Sequence, residues 1–260
     1  MIILNVSSYK TGGTWLQNIL RSGMYNFKLL KNSALLSSID DKMNYIPDLP
    51  ASYANEENVK KINRAISYES LGCKENILDK IHIYGNSKLI EDLLSELNVK
   101  YLLMVRDYRD VIVSRFYHEI ASGRFEGEFS TFFELNAKKI FEEAFLYNRF
   151  WFNIRNKNQS NVHLINYADL KSNYKIELNK IQEFLGEDVI NVNKSLHLFD
   201  IKENRQKYTE EWMGAFIDKG GDFYRKGEVG DYQSHFSESQ LAQFSSWFKS
   251  IESEAVHDKW

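Results

Sequence analysis

The alternation of apolar and polar positions along the chain predicts strands that alternate with helices. Ile2 to Val6 form an apolar run, and a helical spacing follows the next turn, at Trp15, Leu16, Ile19, Leu20 and Met24. Further strands are predicted at 81–84, 101–105 and 162–165. Because this alternation is typical of parallel sheets, we predict an α/β fold: a single domain, residues 1–260, with a central parallel sheet flanked by helices.

Several predicted helices have recognisable ends. Asp107 is suited to cap a helix with an apolar stripe at Ile112, Phe116 and Ile120. Gly186 can end a helix whose apolar residues are Ile176, Ile181, Phe184 and Leu185. Ser237 and Gln240 form a capping-box pattern before a last amphipathic helix. We expect the aromatic residues of the preceding helical region to pack in a core: Phe132, Phe133, Phe141, Phe145 and Phe152.

Two segments interrupt this rhythm. Residues 31–75 are polar and hold both prolines, Pro47 and Pro50, so irregular structure or short helices are expected there. Residues 200–236 are rich in charge, glycine and aromatic side chains, which is typical of a long loop system. Loops over the carboxyl ends of parallel strands commonly carry function.

Composition narrows the partners and the compartment. The chain has 33 Lys and Arg against 36 Asp and Glu, a formal charge of −3, which argues against a surface that binds nucleic acid or anionic lipid along its whole extent. A local anion site remains compatible with this balance. The single cysteine, Cys73, fits a reducing compartment, and no apolar stretch reaches the roughly 18 residues of a membrane span. Because the first residues also lack the features of a signal peptide, we expect a cytoplasmic protein.

The most informative segment is Lys10-Thr11-Gly12-Gly13-Thr14-Trp15, between the first strand and the first helix. Two glycines allow a tight turn whose amides face one anion, and a helix that begins near Thr14 adds its positive end. The threonine hydroxyls and Lys10 can complete such a site, although an ordinary strand-to-helix turn has a similar composition. The lysine precedes the glycines, unlike the phosphate loop of ATPases and kinases, where it follows them.

Three segments resemble motifs of the cytosolic-type sulfotransferases. Residues 10–15 are similar to that family's K-S-G-T-T-W loop, and residues 106–114 (RDYRDVIVS) are similar to its R-[DN]-P-[KR]-D-V-x-V-S segment. Residues 225–232 (RKGEVGDY), followed by QSHF, resemble R-K-G-x-x-G-D-W and K-N-H-F. The resemblance implies a P-loop-like sulfotransferase domain over residues 1–260 that uses 3′-phosphoadenosine 5′-phosphosulfate (PAPS) and releases adenosine 3′,5′-bisphosphate (PAP).

The resemblance also implies a role for each matching residue. Lys10 would lie beside the bridging oxygen of the phosphosulfate, and Trp15 would face the adenine, with Tyr167 near its amino group. The 5′-phosphate would be held by Thr11, Gly12, Gly13 and Thr14. The 3′-phosphate would be bound by Arg106, Ser114, Arg225, Lys226 and Gly227. Clustered cations and helix-end amides suit a ligand with about four negative charges, and no metal is expected.

The family's general base, a histidine in a K-T-H context, has no clear counterpart here. Alignment places Tyr84 or Asn86 at that position, and His82 is near it; His82 is the first candidate base and His118 the second. An amine acceptor, or one already ionised, would need less base catalysis. Two further departures are Leu198, at the position of an adenine-contacting phenylalanine, and residues 233–242, which do not match the usual dimer motif and leave the oligomeric state open.

The predicted function is therefore the transfer of a sulfuryl group from PAPS to a hydroxyl or amine of a small molecule. Two alternatives remain: a PAP- or nucleotide-binding pseudoenzyme without its base, and a P-loop kinase acting on small molecules. Neither nucleic acid nor a membrane is an expected partner. The acceptor pocket is expected to involve residues 31–75, 116–128 and 207–224, with candidate wall residues Tyr53, Phe116, Tyr117, Tyr208 and Trp212.

Overall fold

The computed structural model of the protein describes residues 1–29, 76–81, 98–199 and 226–257. Contacts divide the chain into two compact units. The first comprises Met1–Arg106 and Tyr147–Tyr208, and the second Asp107–Leu146 and Thr209–Trp260. The single domain over residues 1–260 stays a prediction.

The first unit is built on a parallel sheet, as predicted. Its strands are β1 (Ile2–Ser7), β2 (Phe27–Leu29), β3 (Asn76–Ile81), β4 (Val99–Val105) and β5 (Val162–Asn166). They pair in the order β2-β3-β1-β4-β5, with every pair parallel. The side chains of β1 are buried throughout and those of β4 nearly so, as expected for apolar strands covered on both faces.

The order of the strands creates a switch point at the carboxyl end of β1. The chain continues from β1 to β2 and β3 on one side, and then to β4 and β5 on the other. Ser7 at the end of β1 pairs with Met104, next to the end of β4, so the loops after these two strands leave the same edge side by side. Open α/β sheets bind ligands at such a point.

Seven α-helices lie within the described residues: α1 (Gly13–Gly23), α2 (Tyr108–Ala121), α3 (Phe129–Phe132), α4 (Lys138–Lys157), α5 (Tyr167–Ser172), α6 (Tyr174–Leu185) and α7 (Glu238–His257). A π-helical turn, Phe133–Ala137, joins α3 to α4, and 3₁₀ turns occupy Val192–Phe199 and Asp231–Ser234. None of the helices in this described part is long and apolar enough to cross a membrane.

In the first unit, the predicted helices are present. The apolar face of α1 is buried, and Gly186 ends α6 with a φ of 106°. All four apolar residues named for α6 lie within it, although the side chain of Ile176 is 57% exposed. Tyr174, Leu178 and Ile181 pack inward, since these positions share one face of the helix.

The second unit has an aromatic core, as expected. Phe132, Phe133 and Phe141 are fully buried, and Phe145 packs against the same cluster as Phe116 and Phe244. The carboxylate of Asp107 accepts a hydrogen bond from the amide of Arg109 at 2.9 Å, which confirms the predicted cap. Ile120 was expected on one apolar stripe with Ile112 and Phe116 but is 39% exposed, because positions four apart drift around a helix of 3.6 residues per turn.

The capping box at the start of the last helix is also confirmed. The amide of Ser237 donates to Oε1 of Gln240 at 2.9 Å, and the amide of Gln240 donates to Oγ of Ser237 at 3.2 Å. Each side chain therefore satisfies the other residue's free amide at the beginning of α7.

One predicted strand begins earlier than expected. The pattern indicated a strand at 81–84, whereas β3 occupies Asn76–Ile81. Asp79 and Lys80 interrupt the apolar run, so the sequence signal began too late. Residues 82–97, the predicted irregular segment 31–75 and residues 200–225 lie outside the described residues; of the predicted second loop system, residues 226–236 contain only the 3₁₀ turn.

Candidate functional site

The segment after β1 forms a turn with unusual backbone angles. Lys10 has a φ of 66° and Gly12 a φ of 102°, both in the left-handed region. Helix α1 begins at Gly13, one residue before the expected start, and Gly12 precedes it without a side-chain cap. Gly12 has no side chain that could cap the helix, and helix N-termini that follow a glycine turn commonly bind anions.

Gly12 also lies in close contact with its surroundings. A Cβ atom at this position would be 2.8 Å from Cδ2 of Tyr167 and 3.2 Å from Cε of Met104. Only glycine satisfies both the backbone angle and the space. The turn is thus fixed against β4 and against the first residue of α5.

Two side chains hold the turn from inside. The hydroxyl of Thr11, which is 1% exposed, donates to the carbonyl of Ser8 at 2.9 Å. Nδ2 of the fully buried Asn5 donates to the carbonyl of Gly13 at 2.7 Å. Thr11 was predicted as a donor to an anion, and its hydroxyl proton is engaged within the turn in this structure. Asn5 was missed by the sequence reasoning, and its only signal is a polar residue within the apolar first strand.

Arg106 follows β4 and lies against this turn. Its Nη1 donates to the carbonyl of Lys10 at 3.4 Å, and its guanidinium carbon is 4.4 Å from the ring centroid of Tyr167. The Lys10 ammonium is 5.9 Å from the ring centroid of Tyr9. The switch point therefore brings together a glycine turn, a helix start and two cations.

Trp15 is packed into the protein immediately after the turn. It is 2% exposed, and its Nε1 donates to the carbonyl of Leu198 at 3.0 Å. Its ring meets Tyr167 edge-on at 5.5 Å and stacks on Tyr174 at 6.0 Å between centroids. Any ligand that contacts the face of this ring must displace a neighbour.

Sequence comparison aligned Leu198 with an adenine-contacting phenylalanine, but in the structure the exposed aromatic residue is the next one, Phe199. Leu198 is completely buried, so it offers no surface to a nucleobase. The next residue, Phe199, is 40% exposed and meets Tyr174 edge-on at 5.2 Å. Phe199 could have been considered from the sequence, because it directly follows the aligned Leu198.

The second unit contains Ser114, Lys226 and Gly227 of the predicted site. Ser114 is half-buried on α2, and Gly227 has a φ of 65°. The ammonium of Lys226 lies 3.2 Å from Oδ1 of Asp231 and 3.8 Å from Oε2 of Glu228. Lys226 is therefore paired with acidic groups of its own loop in this structure.

Asp110 joins two of the sequence motifs and was missed as a functional residue. Its carboxylate accepts hydrogen bonds from the amides of Gly230 at 2.9 Å and Tyr232 at 3.1 Å. The side chain is 2% exposed, so these bonds satisfy a buried acid. The available signal was an acidic residue within the segment 106–114.

His118, the second candidate base, is 5% exposed on α2. Its Nδ1 lies 3.0 Å from Nη2 of Arg124. Arg124 also pairs with Glu119; burial raises the pKa of Glu119, but hydrogen bonds from His118 and Arg124 and the charge of Arg115 together lower it well below its usual range. The role of His118 as a base stays a prediction.

Other predicted residues lie outside the described residues: His82, Tyr84, Asn86, Arg225, Tyr53, Tyr208 and Trp212. Within the described ranges there is no group of three or more His, Cys, Asp or Glu side chains placed to hold a metal ion.

The fold and the turn define an α/β protein with a phosphate-type loop at the switch point of a parallel sheet. A family model described as "Sulfotransferase domain" matches residues 2–259. The chain therefore belongs to the sulfotransferase domain family.

Similar proteins carry the same family name. Human sulfotransferase 1C2 is 25% identical over 182 residues, which cover 65% of this chain and 60% of that protein. Rat sulfotransferase 2A1 is 28% identical over 178 residues, again 65% of this chain and 60% of the relative. The matched segment thus spans less than two thirds of the length of these curated relatives.

A solved structure of similar fold is mouse sulfotransferase SULT7A1 complexed with PAP. It is 21% identical, covers 95% of this chain and 82% of its own, and has a TM-score of 0.67. A retinol dehydratase in complex with androsterone and PAP has a TM-score of 0.64 at 17% identity, with coverage of 96% of this chain and 80% of its own. These structures agree with the predicted fold.

Proposed function

We propose that the protein is a sulfotransferase that moves a sulfuryl group from PAPS to a hydroxyl or amine of a small molecule. The observation that supports this most is the turn at residues 8–13, which leaves the central strand beside Arg106 and leads into α1. The choice of nucleotide is supported by the family to which the chain belongs. It is also supported by two structures of similar fold, both of which are complexes with PAP.

The residues of the first unit fit the phosphosulfate end of such a ligand. When bound, PAPS supplies a sulfuryl group joined to the 5′-phosphate through a bridging oxygen. Gly12 allows the backbone to approach a phosphate closely, and the amides of Gly13 and Thr14 provide donors at the positive end of α1. Lys10 provides the mobile cation and Arg106 the planar one.

Transfer forms a bond between sulfur and the acceptor atom and breaks the bond between sulfur and the bridging oxygen. The acceptor proton passes to a base, and the bridging oxygen keeps the electron pair on the departing phosphate. Lys10 is assigned to stabilise that negative charge, since positioning and charge stabilisation dominate loose transfers of this kind. His82 and His118 remain the candidate bases, and an amine acceptor would reduce the need for either.

The adenosine end is assigned by the same resemblance, with one change. Tyr167 and Trp15 are proposed for the adenine, and Phe199 replaces Leu198 as the exposed aromatic side chain beside them. For the 3′-phosphate we propose Arg106, Ser114, Arg225, Lys226 and Gly227. Lys226 would exchange its bonds to Asp231 and Glu228 for the phosphate.

The test combines binding and transfer. We expect PAP to bind the purified protein in isothermal titration calorimetry, and labelled PAPS to transfer its sulfuryl group to a member of a panel of phenols, alcohols and amines. Lys10→Ala is expected to lower the transfer rate about a hundredfold or more, whereas Lys175→Ala, which removes an exposed lysine of α6, should leave it unchanged.

Each alternative function has its own outcome in this test. Binding of PAP without transfer to any acceptor would favour a nucleotide-binding pseudoenzyme. Phosphorylation of an acceptor from ATP would favour a kinase, and the absence of any calorimetric signal with PAP and PAPS would refute the proposal.

A further inference from the structure

Lys171 on α5 reaches the aromatic residues near the turn. Its ammonium nitrogen lies 5.4 Å from the ring centroid of Trp15 and 4.7 Å from that of Phe199. Trp15 is 2% exposed, whereas Phe199 is 40% exposed. One cation thus contacts two rings, both of which the proposed function assigns to the adenine.

The other neighbours of Trp15 are fixed. The hydroxyl of Tyr174 donates to the carbonyl of Ser195 at 2.8 Å, and Tyr167 lies between Gly12 and the guanidinium of Arg106. Lys171 ends in a point charge on a flexible four-carbon chain. Its side chain can therefore move with less disturbance of the core than the buried rings of Tyr167 and Tyr174.

We propose that Lys171 occupies the space beside Trp15 and Phe199 that the adenine ring takes when the nucleotide binds, and that it must leave for the ring to enter. This inference rests on the proposed function. An ammonium and a purine compete for the same aromatic faces, and the loss of the cation–π contacts lowers the net affinity for the nucleotide. Lys171 is thus a residue that sets the affinity for the base of PAPS and PAP.

The test measures the affinity for PAP by calorimetry in matched charge variants. Lys171→Ala is compared with Lys175→Ala, because both remove one positive charge from neighbouring helices of the same unit. We expect Lys171→Ala to bind PAP about two- to fivefold more tightly than Lys175→Ala, which is the size of a partly exposed cation–π contact. Ribose 3,5-bisphosphate, which lacks the base, should bind both variants equally.

A second variant makes the test independent of the alanine substitution. Lys171→Arg keeps the charge and places a planar group that stacks on aromatic rings, so we expect it to bind PAP more weakly than the wild type. Circular dichroism verifies that each variant is folded.

The inference and the proposed function fail in different ways. If the wild type binds PAP and Lys171→Ala binds it no more tightly than Lys175→Ala, the inference is overturned and the proposed function stands. The inference is also overturned if the gain extends to ribose 3,5-bisphosphate. If the wild type binds neither PAP nor PAPS, the proposed function itself is refuted, and the inference with it.

Discussion

At the scale of single residues, Gly12 determines the shape of the phosphate-type turn. Its φ of 102° lies in a region that other residues adopt at a cost, and a Cβ would be 2.8 Å from the ring of Tyr167. Gly186 has a similar φ of 106°, but the nearest atom to its Cβ would be the end of the Asp188 side chain. The two glycines thus share a backbone requirement and differ in what surrounds them.

We predict that Gly12→Ala destabilises the protein by about 1–2 kcal/mol or more and weakens PAP binding at least tenfold. The stability loss follows from the left-handed backbone, and the affinity loss follows because the turn must move away from Tyr167. Urea unfolding measures the first quantity and calorimetry the second. Gly186→Ala should cost similar stability and leave the affinity for PAP unchanged; an equal loss of affinity in both variants would contradict the local explanation.

At the scale of elements, the sequence predicted what local pattern determines and missed what tertiary contacts determine. The cap at Asp107 and the capping box at Ser237 depend on neighbours along the chain, and both are present. The start of β3 was missed because Asp79 and Lys80 form part of a strand that its two neighbours fix. Apolar residues alone do not mark its start.

The candidate site divides in the same way. The glycine turn was readable because its residues are contiguous, whereas Asp110 and Phe199 matter through partners far away in the sequence. Asp110 holds amides at positions 230 and 232, and Phe199 lies beside Tyr174 and Lys171. A motif comparison assigns positions but does not show which neighbouring side chain is exposed.

His163 lies on strand β5 and packs against helix α6. This histidine should make the stability of the folded protein depend on pH. The ring of His163 stacks on Phe184 at 5.2 Å, and burial lowers its pKa, with Glu177 opposing this effect and Arg155 and Lys180 adding to it. A lowered pKa in the folded state means that the unfolded chain takes up the proton first as the pH falls below about 6.5. Folding stability is therefore lost on acidification below that value.

We predict that the free energy of unfolding of the wild type falls more steeply between pH 7 and pH 5 than that of His163→Gln. One proton sets a ceiling of about 1.4 kcal/mol per pH unit on the difference in slope, and partial exposure of the ring keeps it well below that. Urea unfolding at several pH values measures the slopes. An unchanged slope in His163→Gln would contradict the assignment.

At the scale of the whole molecule, the near balance of charges contrasts with the cations at the switch point. The formal charge is −3, yet Lys10 and Arg106 lie at the same turn. Lys10 moreover has a φ of 66°. This left-handed backbone conformation is unfavourable for any residue with a Cβ atom. A lysine at this position therefore costs folding stability, but it supplies a positive charge beside the expected phosphosulfate.

We predict that Lys10→Gly is more stable than Lys10→Ala by about 1 kcal/mol while both lose transfer activity about a hundredfold or more. Glycine removes the strain of the left-handed backbone, partly offset by the larger entropy of the unfolded chain, and neither variant retains the cation. Asn26, whose φ is 43°, offers a control, because Asn26→Gly and Asn26→Ala should differ in stability in the same direction and keep full activity. Equal stability of the two Lys10 variants would show that the left-handed turn is not held in solution. Transfer at the wild-type rate in either one would remove Lys10 from the proposed mechanism, because the charge on the departing phosphate would then be stabilised elsewhere.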